Sequence, residues 1–307
     1  MTAVAFPESR ALDGCEIVGP AGAPVVLALG GISAHRHVVA HAGDDTPGWW
    51  EGVAGVGRAL DPRTHRILGI DFLDGGRRDD GRPARVVTTH DQADRVVAAL
   101  DALGIEQLDA AIGASYGGMV VLALAERYPE RVGRIAVISA AHAPHPMSTA
   151  LRVAQRRVVE LGLDTGRAAD AMALGRAIAM TTYRTASEFA ERFDVAPVHA
   201  GGEIEFEVER YLRRAGEKFA DRMRPERFLA LSLSADLHRV EPTRIAVPAT
   251  IIAAHGDTLV PPWQSRALAR RLPALRAFHL LRTRFGHDAF LTEPARLGRL
   301  LTAALAD

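Results

Sequence analysis

Ile112-Gly113-Ala114-Ser115-Tyr116-Gly117-Gly118-Met119 contains the pattern G-x-S-x-G. A short apolar run precedes it and the apolar segment 119–125 follows it, which is the order of a strand, a sharp turn and a helix. Glycines two residues before and two residues after the serine allow the neighbouring backbone to pass close to such a turn. A glycine-rich turn without chemistry is the alternative, and the flanking strand and helix favour Ser115 as a nucleophile.

Apolar runs typical of buried strands recur along the chain and alternate with segments of helical periodicity. In 91–103, apolar residues recur at three- and four-residue steps and Gly104 ends the pattern. Strands that are apolar throughout and alternate with helices indicate a mostly parallel sheet covered on both faces. The predicted strands are 24–29, 66–72, 108–112, 134–138, 249–254 and 277–281, and the predicted helices are 91–103, 117–127, 263–271 and 293–305.

One long stretch breaks this alternation. From about residue 147 to residue 236 the sequence reads as successive helices with polar faces and no strand-like run. We interpret it as a helical cap inserted between two strands of the sheet. The sequence therefore predicts an α/β-hydrolase fold, with residues 1–146 and 237–307 as the catalytic core and 147–236 as the cap.

The 307-residue chain is 48% apolar and carries 37 basic and 37 acidic side chains. This composition is typical of a globular protein, and a net charge near zero gives no reason to expect nucleic acid or a membrane as a partner. No apolar run approaches the roughly 20 residues that span a bilayer, and residues 1–8 lack the regions of a secretory signal. Cys15 is the one cysteine, which excludes an internal disulfide. We expect a cytoplasmic protein that acts on a small molecule.

A serine hydroxyl is a weak nucleophile at neutral pH and needs a base, which this fold supplies late in the chain in the order Ser, Asp, His. Asp257 follows the predicted strand 249–254, and His287 follows the predicted strand 277–281. Both residues thus lie just past the carboxyl end of a strand, where ligands bind in open α/β sheets. We predict that His287 takes the Ser115 proton and that Asp257 fixes the tautomer of the imidazole.

Four other residues compete for these two roles. His255 is two residues before the predicted acid and His279 lies inside a strand, so both are expected to be structural. Asp236 lies at the exit of the cap and Asp288 adjoins the base, which suits neither of them for orienting the imidazole.

An oxyanion hole needs two backbone N–H groups, one from the residue after the serine and one from the loop after an early strand. Tyr116 follows the serine, and Leu29-Gly30-Gly31-Ile32-Ser33 is the loop. We predict Gly30 as the second donor, with Gly31 as the alternative. A plain turn at this glycine pair is the competing interpretation.

Two groups of histidines raise the question of a metal site: His35, His37 and His41, and separately His142 with His145. Neither group is accompanied by a cysteine or by the H-E-x-x-H pattern of zinc enzymes. We therefore predict no bound metal and no resident cofactor.

The triad indicates ester or thioester chemistry and does not separate a hydrolase from a transferase. Further segments do: Gly48-Trp49-Trp50-Glu51, Arg58-Ala59-Leu60-Asp61, Ser115-Tyr116-Gly117-Gly118-Met119, Thr182-Tyr183-Arg184-Thr185, Ala190-Glu191-Arg192-Phe193, Tyr211-Leu212-Arg213-Arg214-Ala215-Gly216-Glu217-Lys218-Phe219 and Gly286-His287-Asp288-Ala289-Phe290-Leu291. In this order, and over most of the chain, they resemble the homoserine O-acyltransferase family of methionine biosynthesis.

The resemblance implies a ping-pong reaction in which Ser115 attacks an acyl-CoA thioester, CoA leaves, and the homoserine hydroxyl takes the acyl group. It also implies that Arg176 binds the homoserine carboxylate and Asp288 its amine, which suits a guanidinium and a carboxylate. A surface arginine and a local turn cap are the alternatives for these two residues. By the same analogy, acyl-CoA is a co-substrate and the protein forms a homodimer through cap helices, for which the helix around 205–224 is a candidate.

The loop 29–37 departs from the H-A-L-T-G pattern that acetyl-specific relatives usually carry, and the chain is short for the family. This variant resembles the subgroup that uses succinyl-CoA, so succinyl transfer to homoserine is the leading expectation. Acetyl transfer, transfer to serine, an ester hydrolase and a noncatalytic binding protein are the alternatives. The arginines of the segment 74–85 are candidate contacts for a succinyl carboxylate or a CoA phosphate, although a solvated charged loop is the simpler interpretation.

Overall fold

The computed structural model describes residues 10–12, 14–200 and 203–306. Its central feature is a sheet of eight strands, and two further strands, β7 and β8, form a separate hairpin. The strands are β1 (Arg10–Leu12), β2 (Cys15–Val18), β3 (Val25–Leu29), β4 (Arg66–Ile70), β5 (Ala110–Ala114), β6 (Ile135–Ile138), β7 (Val198–Ala200), β8 (Glu203–Glu205), β9 (Ala249–Ala254) and β10 (Leu275–Leu281).

The strand order in the sheet is β1-β2-β4-β3-β5-β6-β9-β10. The strands β4, β3, β5, β6, β9 and β10 run parallel to one another, and β2 pairs antiparallel with both β1 and β4 at one side of the sheet. The prediction of a mostly parallel sheet in an α/β-hydrolase fold is therefore confirmed. The sequence does not predict β1 and β2, because runs of three or four residues are too short to give a periodic pattern.

Helices cover both faces of the sheet, and none of those described is long and apolar enough to cross a membrane. A capping box between Thr88 and Asp91 begins the first helix, and Gly104 ends it with a φ of 66°. The helices are α1 (Thr89–Leu103), α2 (Tyr116–Arg127), α3 (Pro146–Asp164), α4 (Ala168–Tyr183), α5 (Ala186–Phe193), α6 (Glu207–Ala220), α7 (Pro225–Leu237), α8 (Pro262–Arg271), α9 (Ala289–Thr292) and α10 (Pro294–Ala306).

Successive side chains of a central strand enter different apolar clusters because they point to opposite faces of the sheet. In β3, Leu27 and Leu29 pack in the cluster that includes α1, α2 and α8, whereas Val26 and Ala28 pack in the cluster that includes α10. All four are at most 2% exposed. Burial on both faces is why these strands are apolar throughout.

Between β6 and β9 the chain forms the helices α3 to α7 and the β7–β8 hairpin. Helix α4 packs against both α3 and α6. The expectation of a region made of helices alone is wrong, because it includes this hairpin. Each strand has three residues and β8 reads Glu-Ile-Glu, so neither gives an apolar run that marks a strand.

Helix α7 belongs to two apolar clusters at once. Its Phe228 and Leu229 pack with residues of α3, α4 and α6, in what we term the cap cluster. Its Leu231 and Ala235 pack in the main core with α1 and α2. The last helix of the insertion therefore joins the cap to the layer that covers the sheet.

Candidate active site

Ser115 occupies the sharp turn between β5 and α2. Its φ of 55° and ψ of −119° lie in a region that L-residues rarely adopt. A Cβ on Gly113 would lie 2.3 Å from the carbonyl oxygen of Gly117, and a Cβ on Gly117 would lie 2.4 Å from the carbonyl oxygen of Leu29. Both glycines are therefore required by close backbone contacts, as the motif predicts.

The structure brings Ser115, His287 and Asp257 into one hydrogen-bonded chain. His287 Nε2 lies 2.7 Å from Ser115 Oγ, and His287 Nδ1 lies 2.7 Å from Asp257 Oδ2. Asp257 follows β9, and His287 lies in a short 3-10 turn after β10. Asp257 Oδ1 accepts hydrogen bonds from the N–H groups of Leu259 and Val260, each at 2.9 Å, so the orientation of the carboxylate is fixed.

Because Asp257 accepts a hydrogen bond at Nδ1, the neutral His287 imidazole carries its proton there and leaves Nε2 free to accept from the Ser115 hydroxyl. Burial of the ring lowers its pKa, whereas the charge and the hydrogen bond of Asp257 raise it. Asp288 adds a smaller increase, and the net effect raises the pKa of His287 above its ordinary value. The imidazole is thus a stronger base than a free histidine.

None of the four competing residues takes part in this hydrogen-bonded chain. His279 is within β10, and the exposed His255 directly follows β9. The Asp236 carboxylate pairs with Arg152 and Arg156, and the Asp288 carboxylate pairs with Arg184.

A cavity of about 250 Å³ opens at Ser115. It is bordered by Tyr116 and by Gly31 and Ile32 of the loop after β3, whereas Gly30 lies outside its lining. The Gly30 carbonyl accepts from the Gly117 N–H at 2.8 Å. A Cβ on Gly30 would lie 2.7 Å from Ala34 Cβ and 2.8 Å from the Trp49 ring. Of the two glycines, Gly31 is the one that borders the cavity, and the choice of the second donor stays a prediction.

Tyr116 is the first residue of α2, where a backbone N–H has no partner within the helix. Its side chain points away from the cavity into the core, and its hydroxyl lies 2.7 Å from Ser234 Oγ and 3.3 Å from Gln92 Nε2. Burial of the phenol raises its pKa to about 12. Tyr116 therefore offers its backbone to the cavity, while its side chain holds α2 against α1 and α7.

Arg176 and Asp288 both border the cavity. The Arg176 guanidinium lies 4.9 Å from the ring centre of Tyr183 and 5.1 Å from that of Phe219, and it forms no ion pair with any described residue. In contrast, Asp288 Oδ2 accepts from Arg184 Nε at 2.9 Å. No pattern in the sequence predicts this pair.

Tyr183 and Arg152 also border the cavity and were missed as site residues. The Tyr183 ring centre lies 6.0 Å from that of His287. Tyr183 belongs to one of the segments that carry the family resemblance, and that position could have identified it as a site residue. Arg152 lies in α3 outside any of those segments, and no motif marks it.

His37 and His41 meet Glu16, and one ligand atom from each lies within 4.8 Å of the others. His37 Nδ1 lies 2.9 Å from Glu16 Oε2, and its Nε2 lies 2.7 Å from the Thr46 carbonyl oxygen. Both ring nitrogens of His37 are thus donors, as in an imidazolium, and its pKa is raised because these hydrogen bonds outweigh the effect of burial. An imidazolium offers no lone pair to a metal, although the prediction of no bound metal stays a prediction.

His142 and His145 have local backbone roles. The His145 imidazole accepts from the Met147 N–H at 3.2 Å and caps α3. The His142 carbonyl accepts from the Val240 N–H at 3.0 Å.

The sequence pattern of the α/β-hydrolase fold matches residues 24–294. A homoserine O-succinyltransferase from Xanthomonas campestris pv. campestris is 44% identical over 290 residues, which cover 94% of this chain and 78% of that protein. A homoserine O-acetyltransferase from Leifsonia xyli subsp. xyli is 31% identical and covers 94% of this chain and 82% of its own length.

Among solved structures, that of homoserine O-acetyltransferase from Bacillus anthracis has a TM-score of 0.85 and 15% identity, and covers 95% of this chain and 91% of its own. At that identity it supports the fold alone, whereas the two sequence relatives establish the family. The chain therefore belongs to the homoserine O-acyltransferases, which are acyl-transferring enzymes of the α/β-hydrolase fold.

Proposed function

We propose that this enzyme transfers a succinyl group from succinyl-CoA to the hydroxyl of L-homoserine. The observation that carries the proposal is the 44% identity, over nearly the whole chain, with a homoserine O-succinyltransferase. The hydrogen-bonded chain of Ser115, His287 and Asp257 supports it, because an acyl-enzyme needs a nucleophile with an oriented base.

In the first step, Ser115 Oγ attacks the thioester carbonyl while His287 Nε2 takes the hydroxyl proton. The carbon–sulfur bond then breaks, and the leaving CoA sulfur takes that proton from His287. In the second step, the homoserine hydroxyl gives its proton to Nε2 and attacks the acyl carbon, and Ser115 Oγ leaves with that proton. His287 acts as base and then as acid in each step, while Asp257 stabilises the imidazolium that forms between them.

The N–H groups of Tyr116 and Gly31 are the proposed donors to the oxyanion of both tetrahedral intermediates. Both residues border the cavity beside Ser115. Donors of this kind, held in place by the fold, stabilise the negative charge that develops on the carbonyl oxygen.

The acceptor is a zwitterion, and the cavity has a cation and an anion to match it. We assign the acceptor carboxylate to Arg176, whose guanidinium has no carboxylate partner among the described residues. The acceptor ammonium is assigned to Asp288, whose Oδ1 has no hydrogen bond within the described part of the chain. Arg184 occupies the other oxygen and thereby orients the carboxylate.

A larger groove of about 1150 Å³ adjoins the cavity and shares Ser33, Ala34, Trp49 and Arg176 with it. Lys218, Arg222 and Arg227 also border this groove and form no ion pair within the described residues. Such cations suit the phosphates of CoA, which enters as a co-substrate, with no resident cofactor. The arginines of the segment 74–85 lie outside the lining of this groove.

The test compares acyl donors and amino-acid acceptors, and each reaction is monitored by the loss of the thioester absorbance. Succinyl-CoA without acceptor should give a burst of about one thioester cleaved per active site, and L-homoserine should then restore steady turnover. Ser115→Ala should abolish both phases. Faster turnover with acetyl-CoA would reassign the donor, faster turnover with L-serine would reassign the acceptor, and steady turnover without either amino acid would indicate a hydrolase.

A homodimer through cap helices remains a proposal by analogy. Light scattering coupled to size-exclusion chromatography tests it, and a monomer mass across the concentrations used for activity would contradict it.

A further inference from the structure

A buried ionic cluster lies in the cavity wall formed by α3 and α7. Arg152 Nε donates to Asp236 Oδ1 at 2.7 Å, and Arg156 Nη1 donates to Asp236 Oδ2 at 2.6 Å. Arg156 Nη1 also donates to Ser232 Oγ at 2.9 Å. The three charged side chains are between 7% and 17% exposed.

The cluster has two cations and one anion, and the three residues form no other ion pair within the described part of the chain. It therefore carries one positive charge in excess. A buried charge is costly unless it is paired, so an uncompensated cation in the wall of a cavity indicates an anionic ligand.

Arg152 borders the cavity together with Ser115 and His287, whereas Arg156 lies outside the lining. Arg152 Nη1 forms no hydrogen bond with any described residue. Its charge also reaches His287, where it acts to lower the pKa of the imidazole, although Asp257 outweighs it. The excess positive charge of the cluster therefore faces the cavity at Arg152, which shares that cavity with Ser115 and His287.

We propose that Arg152 selects the acyl donor by binding the terminal carboxylate of a dicarboxylic acyl group. This inference rests on the proposed function, and it supplies a specificity residue for the donor. Among the described residues that line the cavity, Arg152 and Arg176 are the two arginines and there is no lysine. The reaction of an acyl-enzyme with an amino acid also brings together two carboxylates, one on the acyl chain and one on the acceptor.

The test compares succinyl-CoA with butyryl-CoA, which has the same chain length and no terminal carboxylate, and with acetyl-CoA. Arg152→Gln should lower kcat/KM for succinyl-CoA by about 10- to 100-fold, because a charge-assisted hydrogen bond to a buried group is lost. The values for butyryl-CoA and acetyl-CoA should change much less. Arg152→Lys, which keeps the charge without the planar fork, should retain part of the preference for succinyl-CoA.

Arg156→Gln is the matched control. It removes the same charge and leaves Asp236 with one partner, as Arg152→Gln does, but it acts outside the cavity lining. Arg156→Gln should change kcat/KM by the same factor for all three donors. The assignment would be wrong if Arg152→Gln lowered kcat/KM equally for all three donors. It would also be wrong if this variant raised the KM for homoserine and left the ratio of kcat/KM between succinyl-CoA and butyryl-CoA unchanged.

The donor preference can be measured in the first half-reaction, without homoserine. Wild-type enzyme that cleaves butyryl-CoA as efficiently as succinyl-CoA would overturn the role of Arg152 even if Arg152→Gln did not fold. An enzyme that forms a succinyl-enzyme with the expected preference but transfers nothing to homoserine would instead contradict the proposed function and leave the inference standing.

Discussion

Arg184 Nε donates to Asp288 Oδ2 across 2.9 Å and so ties the residue after α4 to the turn that carries His287. The two side chains are 15% and 13% exposed. Arg184 Nη1 also lies 3.6 Å from Oε1 of the buried Glu188. One guanidinium therefore compensates the negative charge of two carboxylates. The Asp288 carboxylate, next to His287 in the chain, is thereby held in one orientation at the cavity.

Arg184→Gln should raise the KM for homoserine by about 10-fold, because Asp288 loses a charge-assisted hydrogen bond that orients it. Acyl-enzyme formation from the donor should change little, since the donor does not use Asp288. Steady-state KM and the burst amplitude measure the two effects separately. Arg192→Gln is the control, because Arg192 Nη1 lies 3.7 Å from Glu188 Oε1 and Arg192 forms no ion pair with Asp288. An equal rise in KM for both variants would contradict this positioning role.

The pH dependence of kcat/KM should follow the protonation of His287. The base works only when neutral, and its pKa is raised, so activity should fall as the pH drops, with a midpoint above the ordinary histidine value of about 6.5. Asp257→Asn removes the charge that raises the pKa and should move the midpoint to lower pH, with kcat reduced by about 10⁴-fold. A wild-type midpoint well below 6.5 would be inconsistent with the geometry.

Gly117→Ala should destabilise the protein and reduce turnover, because its Cβ would lie 2.4 Å from the Leu29 carbonyl oxygen and must displace the end of β3. Overpacking of this kind costs about 1–3 kcal/mol. Thermal unfolding and kcat provide the two measurements. Gly298→Ala in α10 is the control, since its nearest neighbour, Ala59 Cβ, would be 3.9 Å away. It should leave activity intact and raise stability by about 0.5–1 kcal/mol.

His238 should make the stability of the protein depend on pH below neutrality. Its Nδ1 lies 2.8 Å from Thr89 Oγ1 and its Nε2 lies 3.1 Å from the Ala141 carbonyl oxygen, and burial lowers the pKa of the imidazole to about 3. Between that value and about 6.5 the unfolded chain binds the extra proton and the folded protein does not. Stability is therefore fully present above pH 6.5 and is lost as the pH falls, by at most about 1.4 kcal/mol per pH unit from this residue.

Urea denaturation at a series of pH values tests the role of His238. His238→Gln should be less stable than the wild type at pH 7, and its stability should vary less between pH 6.5 and pH 4. Parallel curves for the two proteins would exclude His238 as the source of the dependence.

The parts of the fold that could be predicted are those that depend on a short, continuous stretch of sequence. The run 249–254 is apolar because both faces of β9 are buried, and the predicted and observed bounds of that strand agree. The strand Cys15–Val18, which lies between β1 and β4, could not be predicted, since it contains Glu16 and is only four residues long. Pairing with β4, which lies far along the chain, makes it a strand.

The same distinction applies to the site. The G-x-S-x-G turn and the chain order of the acid and base were enough to predict a serine, a histidine and an aspartate that the structure brings together. The ion pairs of Asp288 with Arg184 and of Asp236 with Arg152 join residues 104 and 84 positions apart. Such pairs follow from how the insertion packs on the core, and no pattern in the sequence contains that information.

The shared position of α7 restricts how substrates reach Ser115. Lifting the cap off the sheet would pull either Phe228 and Leu229 out of the cap cluster or Leu231 and Ala235 out of the main core. Exposing a large apolar side chain costs about 1.5–3 kcal/mol, so wide opening of this kind is a rare event at ordinary temperature. We therefore expect acyl donor and amino acid to reach Ser115 one after the other through the groove beside α6, which adjoins the cavity and stays accessible while the cap is in place.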